Sequence, residues 1–261
     1  MKIDIAISFN DIIPPDGIGM VMGSKPPYFE QLLYLISSIH KNWNKNILDY
    51  SIRIYHSRPI HKSKIVKLIK LGCTVVYNPN EVQPYLSREN IFIDEYENSG
   101  DYTMVIDTDM LVLNTPEIEN KKDIYVKASP NQNVINQNQW RLIDDHFGLK
   151  YHSNNVHHFN CGLFIMRNTV KKYFYQLYVD KSNLKILNYL ETINRHLSIQ
   201  IYYSSLIRLF DWGYLDKKMN VFSFFLEHME YNSKMPIDIL HYLGKNGCNN
   251  NVMEMIKSYK I

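Results

Sequence analysis

The first half of the chain alternates short apolar runs of β character with helical runs, and that order narrows the fold more than any other feature. "KIDIAISF" (2–9), "YSIRIYHS" (50–57), "CTVVYNP" (73–79) and "DYTMVIDTD" (101–109) read as strands. Between the first three lie two helical runs. "YFEQLLYLISSIHKNW" (28–43) sets Phe29, Leu32, Leu33, Ile36 and Ile39 on one face, and "HKSKIVKLIKLG" (61–72) is closed by the stop signal Gly72. Strands joined through a helix pair in parallel by right-handed crossovers. The order therefore predicts an α/β fold, a mostly parallel central sheet with helices on both faces. Ligands of such sheets bind beyond the carboxyl ends of the strands.

The second half is mixed: strands at 123–129 and 158–168, helices near 169–180 and 196–210, and a late strand "PIDILH" (236–241). The late strand is expected to extend the sheet and wall off the ligand edge. No repeat or low-complexity linker interrupts the 261 residues, which predicts a single domain. Composition excludes several classes. A net charge of +3 is too small for a dedicated nucleic-acid binder. No run approaches the roughly 18 apolar residues needed to cross a bilayer. Asp4, inside the first apolar run, makes the N-terminus a strand rather than a signal peptide. Cys73, Cys161 and Cys248 form neither a Cys-x-x-Cys pair nor a disulfide framework, so a cytoplasmic or other reducing compartment is expected.

The fourth strand runs straight into Asp107-Thr108-Asp109. Residues i and i+2 of a strand share a side. Two carboxylates so placed repel each other and lose hydration unless a cation lies between them or they reach water. The tripeptide alone is uninformative, since Asp-x-Asp arises by chance about once every few hundred residues. Glu95-Tyr96-Glu97 and Glu117-Ile118-Glu119 have no strand before them and read as solvated. Asp107 and Asp109 differ because a buried-looking strand delivers them to the ligand edge. An oxygen-only pair suits Mg²⁺ or Mn²⁺ with positions open to water or phosphate. Such an ion offsets the charge of a departing nucleoside diphosphate, as sugar transfer from a nucleotide donor requires. The loop "DIIPPDGIGMVMGSKPP" (11–27) has neither phosphate-binding glycine spacing and reads as a lid or plain surface loop.

With these residues in view the chain resembles the nucleotide-sugar glycosyltransferases of the GT-A fold, most closely glycosyltransferase family 8, the glycogenin-like and bacterial galactosyltransferase-like enzymes. The resemblance runs over most of the chain in five short blocks. "ISFND" is similar to the family's first strand and nucleotide-contacting turn, which implicates Ser8 and Asn10. "PPYFEQLLYLISSI" is similar to its first helix, with Tyr28 near the base. "SRENIFIDEY…DYTMVIDTDMLVL" resembles the block ending in the metal motif, with Arg88 as a phosphate or sugar contact and Thr108 beside the donor. "HFNCGLFIMRN" resembles the Phe-Asn-(small)-Gly strand whose asparagine, here Asn160, faces the donor sugar. "ILHYLG" resembles the late His-x-x-Gly: His241 would be the third metal ligand, and Gly244 with Lys245 would meet the phosphates. The family tends to carry an Asp-Gln pair after the Asn-Gly strand; Gln200, preceded by Ile199 and not by an aspartate, is the one glutamine in the helical run "RHLSIQIYYSS".

The resemblance implies one GT-A domain over 1–261, with 1–115 the nucleotide-binding half and 116–261 the acceptor half plus a metal-closing segment. It implies a hexosyltransferase that uses Mn²⁺ or Mg²⁺ and a UDP-sugar, acts on a glycan, protein or small-molecule acceptor, and retains configuration. An inverting enzyme would instead need a carboxylate base, for which Asp145, beside Asp144 in "WRLIDDHFG", is the candidate. The plainer reading of that acidic pair is an exposed helix or loop. His146, His152, His157, His158 and Cys161 match no zinc spacing and read as groove or surface residues. Two other classes compete. A sugar-nucleotide nucleotidyltransferase would carry an arginine-bearing glycine loop after strand one, which is missing here. A non-catalytic nucleotide- or glycan-binding module would have no need of Asp107, Asp109, Asn160 and His241 together.

Overall fold

The computed structural model describes residues 1–9, 28–79, 89–94, 100–151, 157–195, 197–222, 236–242 and 250–259. Along the chain these form β1 (Lys2–Ser8), α1 (Tyr28–Asn42), β2 (Asp49–His56), α2 (Lys62–Lys70), β3 (Thr74–Tyr77), α3 (Glu89–Ile93), β4 (Tyr102–Ile106) and β5 (Met110–Val112). There follow β6 (Ile124–Ala128), α4 (Gln137–His146), β7 (Phe159–Arg167), α5 (Asn168–Val179), α6 (Lys181–Asn194) and α7 (Ser198–Ile207). The chain closes with β8 (Trp212–Tyr214), β9 (Val221–Phe222), β10 (Ile239–His241) and α8 (Asn250–Lys257). Two compact units are distinguished, Met1–Ile118 with Asp216–Ile261, and Glu119–Leu215.

In the first unit four strands run in the order β3-β2-β1-β4, every pairing parallel, with Ile5 of β1 opposite Ile52 on one side and Met104 on the other. Buried on both sides, β1 and β4 read as continuous apolar runs, as parallel strands should. Asp4 breaks the run without breaking the strand, because its carboxylate accepts hydrogen bonds from Ser51 Oγ at 2.7 Å and from the Gly100 amide. That approach requires glycine: a Cβ at Gly100 would lie 2.4 Å from the Lys2 carbonyl oxygen. Gly72 ends α2 as read from the sequence. It sits at φ +77°, its N–H donates to Ile69 O, and the next N–H, of Cys73, donates to Leu68 O, the Schellman closure.

The late strand exists but does not extend the main sheet. The chain turns at Thr108–Asp109, and the apolar residues after the acidic pair form a separate strand, β5, in another sheet. It is this strand that β10 joins, antiparallel, in a three-stranded sheet ordered β5-β10-β9. Helix α1 covers the other edge of β5: the Val112 N–H donates to Ser38 Oγ at 2.9 Å, and Asn42 Nδ2 donates to Val112 O at 2.7 Å. Beneath the small sheet Tyr34, Leu111, Leu240, Tyr242, Ile256 and Tyr259 form one buried cluster, which brings in α1 and the α8 segment.

In the second unit β7-β6-β8 are neighbours, with β6 antiparallel to β7 and parallel to β8. The register jumps from Val126↔Phe164 to Lys127↔Asn160, so β7 bulges through Cys161–Leu163. Helix α6 was not legible in the sequence. It follows α5 with only Asp180 between them, and Asp180 caps it by accepting from the Ser182 and Asn183 amides. Helix α4 opens on a capping box between Asn136 and Gln139.

Candidate metal centre

Strand β4 is buried along its whole length and stops at Ile106. The acidic pair therefore lies just past the strand, in the tight turn into β5, and its proximity comes from the turn and not from the i, i+2 alternation expected above. The antiparallel register sets His241 of β10 opposite Met110, the first residue after Asp109. Two bonds hold the turn against β10: the Tyr242 N–H donates to Asp109 O at 3.1 Å, and Tyr242 Oη donates to Thr108 O at 3.4 Å. One ligand atom from each of Asp107, Asp109 and His241 then lies within 4.8 Å of the others.

The protonation pattern of His241 follows from its partners. Nδ1 stands 2.9 Å from Asn220 Oδ1, an oxygen that can only accept, so Nδ1 carries the hydrogen. Phe222 stacks on the imidazole at 5.1 Å and fixes its plane. Nε2 is buried, has no hydrogen-bond partner among the described residues, and faces Asp109 Oδ1 at 3.3 Å. A ring nitrogen lone pair and a carboxylate oxygen at that separation need a proton or a cation between them. With the Asp107 carboxylate as third neighbour, two oxygens and one imidazole nitrogen fit an ion of the Mn²⁺ type. Among the described residues this is the one such cluster of three.

Asn220 was missed by the sequence reading. It is fully buried and adopts φ +54°, the left-handed region where asparagine is tolerated better than most residues. A lone asparagine ahead of a two-residue strand gives little signal. Tyr28 opens α1 half-buried, and its hydroxyl pKa is raised by burial and then by the charges of Asp109 and Asp107, which puts it in the field of the acidic pair. Ser8 ends β1, in register with Tyr55. Asn10, Arg88, Gly244 and Lys245, expected to touch the donor, lie outside the described residues, as do the 11–27 loop and His152.

In the second unit Asn160 stands at the β7 bulge, nearly buried, its Oδ1 accepting from the Gly162 amide at 3.0 Å. Gln200 is brought to the start of β7. Ser204 Oγ donates to Gln200 O at 2.7 Å and itself accepts from the Phe159 N–H at 2.9 Å. Asp145 lies exposed on α4. Its neighbour corrects the reading of an exposed pair: Asp144 is fully buried and takes both Arg208 terminal nitrogens at 2.7 and 2.8 Å, with His157 Nδ1 at 3.7 Å. Within the histidine cluster His146 is exposed, as a surface reading expects, whereas His157 and His158 are buried and not surface residues. His157 packs between the rings of Trp140 and Tyr151, and so Trp140 belongs to the core.

No family model and no curated protein matches the sequence. Solved structures do match. A galactosyltransferase LgtC, in complex with donor and acceptor sugar analogues, superposes with a TM-score of 0.60 at 13% identity, over 98% of this chain and 94% of that one. The glycosyltransferase GlyE of Streptococcus pneumoniae gives 0.55 at 15% identity, over 98% of this chain and 60% of its own. Mouse xyloside xylosyltransferase 1 gives 0.56 at 10%, over 97% and 99%. The fold is thus the GT-A arrangement expected from the sequence, and these three structures are glycosyltransferases.

Proposed function

We propose that the chain is a metal-dependent glycosyltransferase that moves a hexose-type sugar from a nucleotide donor, a UDP-sugar, to a glycan, protein or small-molecule acceptor with retention of configuration. One observation carries the reading: the buried Nε2 of His241, without a hydrogen-bond partner among the described residues, faces Asp109 beside Asp107, on a fold shared with glycosyltransferases. A bound divalent ion would supply Lewis-acid charge to the departing diphosphate.

The chain's own residues have separate tasks in this reading. Asp107, Asp109 and His241 are the ion's ligands, and Asn220 keeps the His241 lone pair on Nε2. Tyr28, Ser8 and Asn10 serve the nucleoside, Thr108 lines the donor, and Arg88, Gly244 and Lys245 serve the phosphates. Asn160 and Gln200 offer amide groups to sugar hydroxyls. Retention leaves Asp145 without a base role, and its exposed position on α4 supports that assignment.

The test is release of nucleoside diphosphate from a panel of UDP-, GDP- and CMP-sugars, with Mn²⁺ and with chelator. Manganese-dependent release from one donor is expected. Pyrophosphate as the product would indicate a nucleotidyltransferase, and no turnover with any donor would indicate a binding module.

A further inference from the structure

We propose that His158 is a positioning residue that orients the side-chain amide of Gln200 and so fixes which end of it meets the sugar. The inference rests on the transferase reading of Gln200 and extends it to a histidine that the reading does not use.

His158 is almost fully buried, and its hydrogen-bond partners are neutral groups. Its backbone N–H donates to Gln132 Oε1 at 3.1 Å, and its carbonyl accepts from Gln132 Nε2 at 2.8 Å and from the Ser129 N–H at 2.9 Å. On the ring, Nδ1 lies 2.8 Å from Asn131 O. A carbonyl oxygen only accepts, so Nδ1 holds the hydrogen. In the neutral ring Nε2 is then a lone pair, and 2.9 Å from it stands Gln200 Nε2. Only the NH₂ end of the amide can donate there. Its orientation is set by chemistry: NH₂ to the imidazole, and Oε1 as the end that Gln200 offers to a ligand.

The contact depends on a neutral ring. Burial lowers the His158 pKa from its ordinary value of 6.5, and the Asn131 carbonyl opposes this more weakly. The ring's partners, the Asn131 carbonyl and the Gln200 amide of α7, are uncharged groups. The ionisable groups nearby in chain and register are Lys127, opposite Asn160, the chain neighbour His157, which leads to Asp144 and Arg208, and Cys161, whose thiol donates to Gln200 O at 3.8 Å. A doubly protonated ring would carry N–H at both nitrogens, and the amide would have to turn Oε1 inward.

Two measurements test this on the full chain. The first needs no activity: ¹⁵N NMR of the His158 ring and of the Gln200 side-chain NH₂. An Nδ1–H tautomer is expected at neutral pH, with a Gln200 NH₂ signal that moves as the ring titrates below 6.5 and that shifts in His158→Gln. An Nε2–H tautomer, or an NH₂ signal indifferent to both, overturns the proposal.

The second is kinetic, with the donor found for the wild-type protein. For His158→Ala, kcat is expected to fall about tenfold or more while donor KM changes much less. His158→Gln, whose Oε1 can take the place of Nε2, is expected to recover most of that loss and to lack the acid limb of the wild-type pH profile. Equal kcat in His158→Ala and wild type would overturn the positioning role. A wild type inert with every donor would sink the transferase reading instead, and the NMR would still decide the contact.

Discussion

At the scale of single residues the centre depends on charge and on one amide. Asp109→Asn keeps the side-chain volume and removes the charge that faces His241 Nε2. Turnover is expected to fall by at least about a hundredfold while the melting temperature stays within a few degrees. Near-wild-type turnover in Mn²⁺ would rule out the ligand assignment. Asn220 is tested by glycine, which tolerates the φ of +54° and removes the acceptor for His241 Nδ1. Mn²⁺ affinity, read by calorimetry, is expected to weaken about ten- to a hundredfold in Asn220→Gly. Unchanged affinity would reduce Asn220 to a turn residue. These two residues also mark what the sequence made legible. Asp107 and Asp109 stood out because a buried strand leads into them. Asn220 did not, because its role lies in a backbone angle and a partner that only the fold supplies.

At the scale of elements, long apolar runs were legible and short or switched ones were not. Strands β1 to β4 and helices α1 and α2 carry clear periodicity or a Gly72 stop, and they lie where the sequence places them. The late strand was found but assigned to the wrong sheet, since nothing in "PIDILH" records that the residues after Asp109 leave the main sheet and offer β5 as a partner. Charge was misread in the opposite direction. Asp144 and Asp145 look alike in sequence, yet helical geometry turns one to solvent and the other onto Arg208 at the end of α7. That buried pair joins α4 to α7, the helix that carries Gln200. Arg208→Met would leave a carboxylate uncompensated in the interior and is expected to lower stability by about 3–5 kcal/mol. Adding Asp144→Asn should recover a large part, and denaturant unfolding of both variants checks it.

For the molecule as a whole, the α/β class followed from element order, while the grouping of 216–261 with the N-terminal half did not. That grouping puts Asp107, Asp109 and His241, the proposed ion ligands, in one unit. Ligand binding should therefore register as global stabilisation growing as RT ln(1 + [L]/Kd). With a cognate donor at about a hundred times Kd, the gain in thermal unfolding is expected to be about 2.7 kcal/mol, and only when Mn²⁺ is present. A shift of equal size in chelator would separate donor binding from the ion.

The closure of the turn by Tyr242 has a consequence for biosynthesis. Thr108 and Tyr242 are 134 positions apart, so a ribosome emits the acidic turn long before the strand that clamps it. Until that strand emerges, β5 has an open edge and the two aspartates lack their imidazole. On the proposed metal assignment, a nascent chain that stops short of His241 should thus be blind to manganese, because the grip on the ion waits for the imidazole.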